Sequence, residues 1–290
     1  MTEPRTRRGR HPISATVLEK HQLSPSFVRL VIGGPELERF TMNEFTDAYV
    51  KVLFLHPDGQ YDRPLDVGRI REEMPAEFWP RLRTYTVRHW DGEQRRLTLD
   101  FVVHGDQGLA GPWAAAVQPG AEVLLNGPGG GYRPDPTADG HLLVGDASAL
   151  PAIATALESL AAQAYSGPVR VFAEVPDAAD ALPLTGPAQT EIRWIHQGSA
   201  LPGLGLVEAV LETPLPSGAI QAFVHGEAGV VRELRRHLRG QHALPLERLS
   251  ISGYWRLGAD DEAWRAVKAD WNRSVEAEDP GTADPEAATA

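Results

Sequence analysis

A chain of 290 residues with 42% apolar content is long enough for two domains, each with its own core. Its formal net charge of −11 argues against nucleic acid as a partner for the surface as a whole and confines any anionic ligand to a local cationic pocket. The absence of cysteine excludes disulfides, thiolate metal sites, iron–sulfur clusters and cysteine nucleophiles, so redox chemistry would have to come from a bound cofactor.

Residues 1–10 carry four arginines against one glutamate and read as a disordered basic N-terminus. No apolar stretch of signal-peptide length follows, and no window approaches the roughly 20 apolar residues of a membrane helix, so a cytoplasmic protein with no membrane partner is expected. Between 11 and 137 the chain reads as short β-branched or aromatic segments at 13–18, 26–32, 49–55, 82–90, 96–104 and 122–125, bounded by Gly, Pro or Asp. Six such strands predict a small antiparallel barrel. Asp91-Gly92 is a hairpin signal, and 57–80, with Pro64, Pro75 and Pro80, reads as an insertion loop with a short helical piece. The prolines and aspartates of 134–139 suit a linker.

From 138 to 275 the pattern changes. Apolar strands are predicted at 141–146, 169–174, 192–196, 222–226 and 249–254, with helices at 147–164, 204–211 and 228–239 and a C-terminal helix. This alternation implies an α/β domain with a right-handed parallel sheet. Residues 276–290, rich in Glu, Asp, Pro, Thr and Ala without hydrophobic periodicity, read as a disordered tail.

Chemistry concentrates in a few segments. Arg83-Thr84-Tyr85-Thr86-Val87-Arg88 puts two guanidinium groups, a ring and two hydroxyls on one strand. Arg83, Tyr85 and Val87 share one face and Thr84, Thr86 and Arg88 the other, and a bend at a sheet edge would bring both sets to one ligand. The combination suits a flavin: Arg for a pyrophosphate, Tyr for a ring or ribityl chain, Thr for the polar edge of an isoalloxazine. It equally describes a half-buried strand with solvated arginines. Residues 101–114 run from a strand through His104-Gly105-Asp106-Gln107-Gly108 into a short helix, whose first amides offer a seat for an anion. His104 is either part of that seat or a structural histidine at a strand end. Gly127-Pro128-Gly129-Gly130-Gly131-Tyr132 is either a plain turn or a close backbone approach to a flat ligand, with Tyr132 covering one face.

In the second half, Gly145-Asp146-Ala147-Ser148-Ala149-Leu150-Pro151 joins a strand to a helix, where doubly wound sheets hold ligands, although Gly-x-Gly-x-x-Gly is absent. Ser148 either caps the helix or meets a nicotinamide dinucleotide. Glu174, at the end of the next strand, either accepts ribose hydroxyls or is a solvated terminus. His225-Gly226-Glu227-Ala228-Gly229 faces the same crevice, and Arg232, Arg235, Arg236 and Arg239 follow at helical spacing as a solvated basic face. Gly253-Tyr254-Trp255-Arg256 ends the last strand with an aromatic pair and an arginine that is hard to bury without a partner.

Four segments in this order, Arg83 to Arg88, Phe101 to Trp113, Gly145 to Ile153 and Gly253 to Arg256, resemble the siderophore-interacting protein family, FAD-dependent ferric-siderophore reductases of the ferredoxin–NADP reductase superfamily, over about residues 12–272. The resemblance implies two domains: an N-terminal six-stranded antiparallel β-barrel that binds flavin, then an α/β parallel-sheet domain that binds nicotinamide. By that likeness Arg83, Thr84, Tyr85, Thr86, Val87 and Arg88 hold FAD, with Arg83 near the phosphates and Thr86 near the ring edge, and Asp100, Val102, His104, Gly108, Ala110 and Trp113 line the rest of the site. Asp146, Ser148, Ala149, Glu174, Glu227 and Trp255 are the matching nicotinamide residues, while Lys51 and Arg256 correspond to the cationic pocket that receives an anionic ferric chelate. Gly129 and Gly130 leave neutral a turn that is basic in some members, and Leu109 replaces a common proline.

The implied reaction takes electrons from NADH or NADPH through FAD to siderophore-bound Fe(III), releasing Fe(II), which hard oxygen donors hold less well. It requires no general acid or base and no protein metal ligand, and a monomer is expected. The alternatives are a flavin or ferredoxin-type reductase with a protein partner, against which the acidic surface counts, and a non-enzymatic siderophore-binding protein.

Overall fold

The computed structural model describes residues 11–279, which form two compact units, 11–23 with 27–130 and 24–26 with 131–279. In the first, β1 (Ile13–Ser24), β2 (Phe27–Gly33), β3 (Tyr49–Phe54), β4 (Arg81–Asp91), β5 (Arg96–Val102) and β6 (Glu122–Gly129) close into a barrel in the order β1-β2-β5-β4-β3-β6. Alternation with period two drives closure. Val28, Leu30 and Ile32 on β2 stand opposite Phe101, Leu99 and Leu97 on β5, and all six side chains are buried. Val50 and Val52 of β3 and Val123 and Leu125 of β6 continue the same inner row. The insertion between β3 and β4 contains α1 (Val67–Glu73), capped by Asp66, whose carboxylate accepts from the Gly68 and Arg69 amides.

β4 changes partner along its length, which matters for the site. It pairs with β3 over Arg81–Thr86 and with β5 over Val87–Asp91, so the flavin-type residues Arg83 to Thr86 are laddered to β3 alone. The bend comes at the changeover, where a bulge pairs Val87 with Leu99 and His89 with Thr98 and leaves Arg88 as an extra residue.

The second unit is a parallel sheet in the order β11-β10-β7-β8-β9, built from β7 (Gly140–Gly145), β8 (Val169–Val175), β9 (Thr190–His196), β10 (Ile220–Glu227) and β11 (Leu249–Trp255). Helices α3 (Leu150–Ala162), α4 (Leu204–Leu211), α5 (Ala228–Gly240) and α6 (Asp261–Glu276) accompany it, and α2 (Ala110–Ala116) belongs to the barrel. Sheet growth runs from β7 to β8 and β9, then resumes on the other side of β7 with β10 and β11. The topological switch therefore lies between the carboxyl ends of β7 and β10.

Helix α3 begins three residues later than expected because 146–149 form a turn, with the Ala149 amide donating to the Asp146 carbonyl at 2.9 Å. The arginines of α5 do not form a merely solvated face. Arg235 donates to Asp279 at 2.9 and 2.8 Å and Arg239 at 3.0 Å, while Arg232 pairs with Glu278. Those acids belong to the segment expected as a disordered tail; 276–279 are instead ordered against α5. Residues 1–10 and 280–290, the remaining disorder expectations, lie outside the described residues.

His141, near the start of β7, is fully buried and meets Tyr165 edge-on at 4.9 Å. Burial lowers its pKa to about 4, with the backbone and carboxylate of nearby Asp135 opposing the shift only in part. The unfolded chain then binds the extra proton between pH 6.5 and about 4, so this residue subtracts stability as pH falls through that window. His141→Phe is expected to flatten the acid arm of the stability profile by up to about 3 kcal/mol, read from urea unfolding against pH. A parallel displacement of the whole profile would contradict this assignment.

Candidate functional site

Strand register arranges the flavin-type residues. On β4, Tyr85 stands opposite Val50 and Arg83 opposite Val52, in the row that faces the barrel interior. Neither is fully buried, because that end of the barrel is closed by rings rather than aliphatic side chains: Tyr85 lies 4.1 Å from Phe101, Phe101 5.7 Å from Trp113, and Trp113 5.3 Å from Phe54. One Arg83 guanidinium nitrogen donates to the Leu82 carbonyl at 2.9 Å. On the outer face, Thr84 pairs with Lys51, which also stands opposite Asn126 on β6, and both Thr84 and Lys51 are exposed. Thr86 is buried opposite Tyr49, and Val87 belongs to the core, its amide donating to the Ala48 carbonyl at 2.7 Å.

The loop from β5 to α2 is open. His104, Gly105, Asp106, Gln107 and Gly108 are all exposed, so His104 is not a structural strand-end histidine. Gly105 and Gly108 have φ of +55° and +80°, and no atom lies within 4 Å of where a Cβ would stand, so backbone conformation rather than crowding selects glycine there. Helix α2 starts at Ala110, and Leu109 before it offers no side-chain cap, which leaves its first amides open to an anion. These features fit the phosphates and ring of FAD. Val102 is partly exposed beside them, but Ala110 faces the core. Asp100 does not remain available to a cofactor: it is buried opposite Arg29, which donates to both its oxygens at 2.6 and 2.7 Å.

Gly127, Gly129 and Gly130, at the end of β6, serve the protein's own packing. A Cβ on Gly127 would stand 2.9 Å from the Tyr49 carbonyl, on Gly129 2.3 Å from the Tyr49 ring, and on Gly130 2.9 Å from Phe45. Tyr132 covers no ligand face. It is buried in the second unit, 4.8 Å from Phe223.

At the switch point of the second unit, the candidate nicotinamide residues are largely engaged with one another. Asp146 is buried; its Oδ1 accepts from the Ser148 amide at 2.9 Å and from the Ser148 hydroxyl, and its Oδ2 accepts from the Glu227 amide at 2.8 Å and the Trp255 indole at 2.7 Å. Burial pushes the Asp146 carboxyl pKa up against these donors. Ser148 therefore does not cap α3, and Ala149 is buried beyond reach of a ligand. Glu227 caps α5 through the Val230 amide at 3.0 Å and accepts from the Leu257 amide at 3.0 Å. Glu174 is no solvated terminus: only 4% exposed, it accepts from the Gly203 amide at 2.7 Å, and burial raises its pKa. His225 is a core residue, stacked 3.7 Å from Phe223 and hydrogen-bonded to Tyr254 and Ser250, with a pKa lowered by burial to about 3. Ser148 and Trp255 are partly exposed at the carboxyl ends of β7 and β11, and Arg256 is exposed.

Residues 16–132 match the siderophore-interacting FAD-binding domain and residues 138–258 the siderophore-interacting protein family. The chain belongs to the siderophore-interacting protein family. The ferric vibriobactin reductase ViuB of Vibrio cholerae is 32% identical, over 88% of this chain and 93% of its own. The NADPH-dependent ferric-chelate reductase of Escherichia coli is 31% identical, over 83% and 91%. The crystal structure of the siderophore-interacting protein SipS from Aeromonas hydrophila superposes with a TM-score of 0.77 at 31% identity, covering 91% of this chain and 99% of that one. Barrel and parallel sheet thus carry the family's two matched regions in the expected order, and the first is an FAD-binding domain.

Sequence reasoning missed three contacts in this member of the family: Arg29 on Asp100, Asp146 on Trp255, and Asn126 beside Lys51. Each joins residues tens of positions apart through strand register. Only Gly226 gave a local signal for one of them. Its φ is +142°, and a Cβ there would stand 2.5 Å from Asp146 Oδ2. Gly226→Ala is expected to destabilise the second unit by about 2 kcal/mol or more, combining backbone strain with displacement of a buried carboxylate. An unchanged urea midpoint would contradict that role.

Proposed function

We propose that this protein is a cytoplasmic, monomeric FAD-dependent ferric-siderophore reductase that uses NADH or NADPH to reduce chelated Fe(III) to Fe(II). Each nicotinamide oxidised yields two electrons and one proton, enough to reduce two ferric ions, and bound FAD supplies the conversion from a two-electron donor to single-electron delivery. The observation that carries the reading is the β3–β4 register: exposed Lys51 stands directly opposite Thr84, on the strand that also bears Arg83, Tyr85 and Arg88. A cation suited to an anionic chelate thus stands beside Thr84 of the flavin-type strand.

In this reading Arg83 and the bulged Arg88 bind the pyrophosphate together with the open amides of α2. Tyr85 and Trp113, in contact through Phe101, supply flat apolar surface, and the Thr84 and Thr86 hydroxyls meet the polar ring edge. His104 and Gly108 line the loop that closes over the nucleotide. On the second unit, Ser148 and Trp255 at the sheet's carboxyl end meet the nicotinamide, and Arg256 adds a second exposed cation for the chelate. The chain itself ligates no iron, since the siderophore occupies the metal. Among the described residues no cluster of three or more His, Asp or Glu is arranged to hold a metal, and no helix is long and apolar enough to cross a membrane.

Anaerobic stopped-flow absorption tests the reading. NADPH or NADH should bleach the bound flavin, and a ferric siderophore should restore its colour with appearance of Fe(II). Arg83→Ala should weaken FAD binding by roughly tenfold to a hundredfold. Lys51→Ala should retain FAD and slow chelate reduction by roughly threefold to tenfold, with flavin reduction by the nicotinamide unchanged. Flavin that resists both nicotinamides would reduce the protein to a binding module, and unchanged chelate kinetics in Lys51→Ala would remove that residue from the substrate pocket.

A further inference from the structure

The reductase reading places Arg256 at the chelate, and the surrounding bonds identify what aims it. We propose that Asp146 and Glu227 are positioning residues which together fix the end of β11, so that Arg256 presents its charge to an anionic ferric chelate in one orientation. The proposal rests on the reductase reading. Its physical basis lies wholly within the second unit.

Both chain neighbours of Arg256 are tied to a buried carboxylate. Before it, the Trp255 indole donates to Asp146 Oδ2 at 2.7 Å; after it, the Leu257 amide donates to Glu227 Oε1 at 3.0 Å. The two carboxylates are themselves joined, since the Glu227 amide donates to Asp146 Oδ2 at 2.8 Å. A turn from the Arg256 carbonyl to the Ala259 amide at 3.1 Å closes the segment. Arg256 is nonetheless exposed, as are Leu257 and Gly258. On a free loop the backbone that carries an exposed arginine would itself wander, whereas here the backbone on either side of Arg256 is held, which narrows the directions its side chain can take.

The arrangement costs the fold something. Burial of a carboxylate is unfavourable, as the raised Asp146 pKa shows, and position 226 must lack a Cβ to make room for it. A helix cap alone requires none of this, because the Glu227 bond to the Val230 amide already serves α5 and uses the other oxygen, Oε2. The remaining bonds act on the strand end that carries Arg256.

A double-variant cycle separates positioning from general support. The protein is assayed with an iron(III) tris-catecholate, which is anionic, and an iron(III) tris-hydroxamate, which is neutral, and the ratio of kcat/KM values is taken as charge selectivity. Arg256→Gln should lower that ratio by roughly threefold to tenfold. Glu227→Gln should lower it similarly, since the amide can accept from only one of the Val230 and Leu257 amides, and the combined variant should fall no further. A second readout needs no chelate: trypsin cleavage of the native protein after Arg256 should accelerate in Glu227→Gln and in Asp146→Asn. Independent, multiplying effects of Glu227→Gln and Arg256→Gln on selectivity would overturn the proposal, as would an unchanged cleavage rate. A wild type that reduces neither chelate would end the reductase reading, leaving the cleavage rate to judge the brace.

Discussion

A strand paired on one side only keeps a row of backbone groups for another partner. β4 is in that position over Arg81–Thr86, which pairs with β3 alone before the strand passes to β5 at Val87, so the backbone as well as the side chains of the flavin-type segment can serve a ligand. Two local devices add to this. The bulge at Arg88 shifts one residue out of the ladder, and the aromatic closure by Tyr85, Phe101, Trp113 and Phe54 gives that end of the barrel a flat, polarisable lining. The same pairing sets exposed Lys51 beside Thr84.

The parallel sheet solves a different problem. Its carboxyl ends converge at a topological switch, where loops would otherwise be loosely held. Asp146, Glu174 and Glu227 each accept from amides of the segments that follow the strands, turning three acidic side chains into internal fasteners. Beside them, Ser148 and Trp255 are partly exposed and Arg256 is exposed, while the carboxylates of Asp146, Glu174 and Glu227 are buried.

Fold class was legible because it depends on period and punctuation. Alternating strands before 130, and apolar strands separated by helices after 140, specify a barrel and a parallel sheet with no long-range information. The flavin-type strand was legible for the same reason, its residue types being unusual together over six positions. The candidate nicotinamide residues were less so. Asp146, Ala149, Glu174 and Glu227 sit at positions where a ligand is expected, yet their oxygens or their burial commit them to the protein, and nothing in a single sequence separates an acid that faces a crevice from one that faces its neighbours. The glycines were open in the same way, since 127–131 read equally as a plain turn or as a close approach to a ligand. Gly127, Gly129, Gly130 and Gly226 are required by Tyr49, Phe45 and Asp146, contacts set by register across distant strands.

The central claim is that β4 and the loop into α2 hold FAD in this chain. The most direct measurement is titration of the purified full-length protein, stripped of any bound flavin, with FAD, following quenching of flavin fluorescence alongside the wild-type visible spectrum. The account predicts saturation at one FAD per chain, with quenching by the neighbouring Tyr85 and Trp113 rings and weakened uptake in Arg83→Ala. A folded wild-type protein that takes up no FAD, or one that binds it equally well without Arg83, would contradict it.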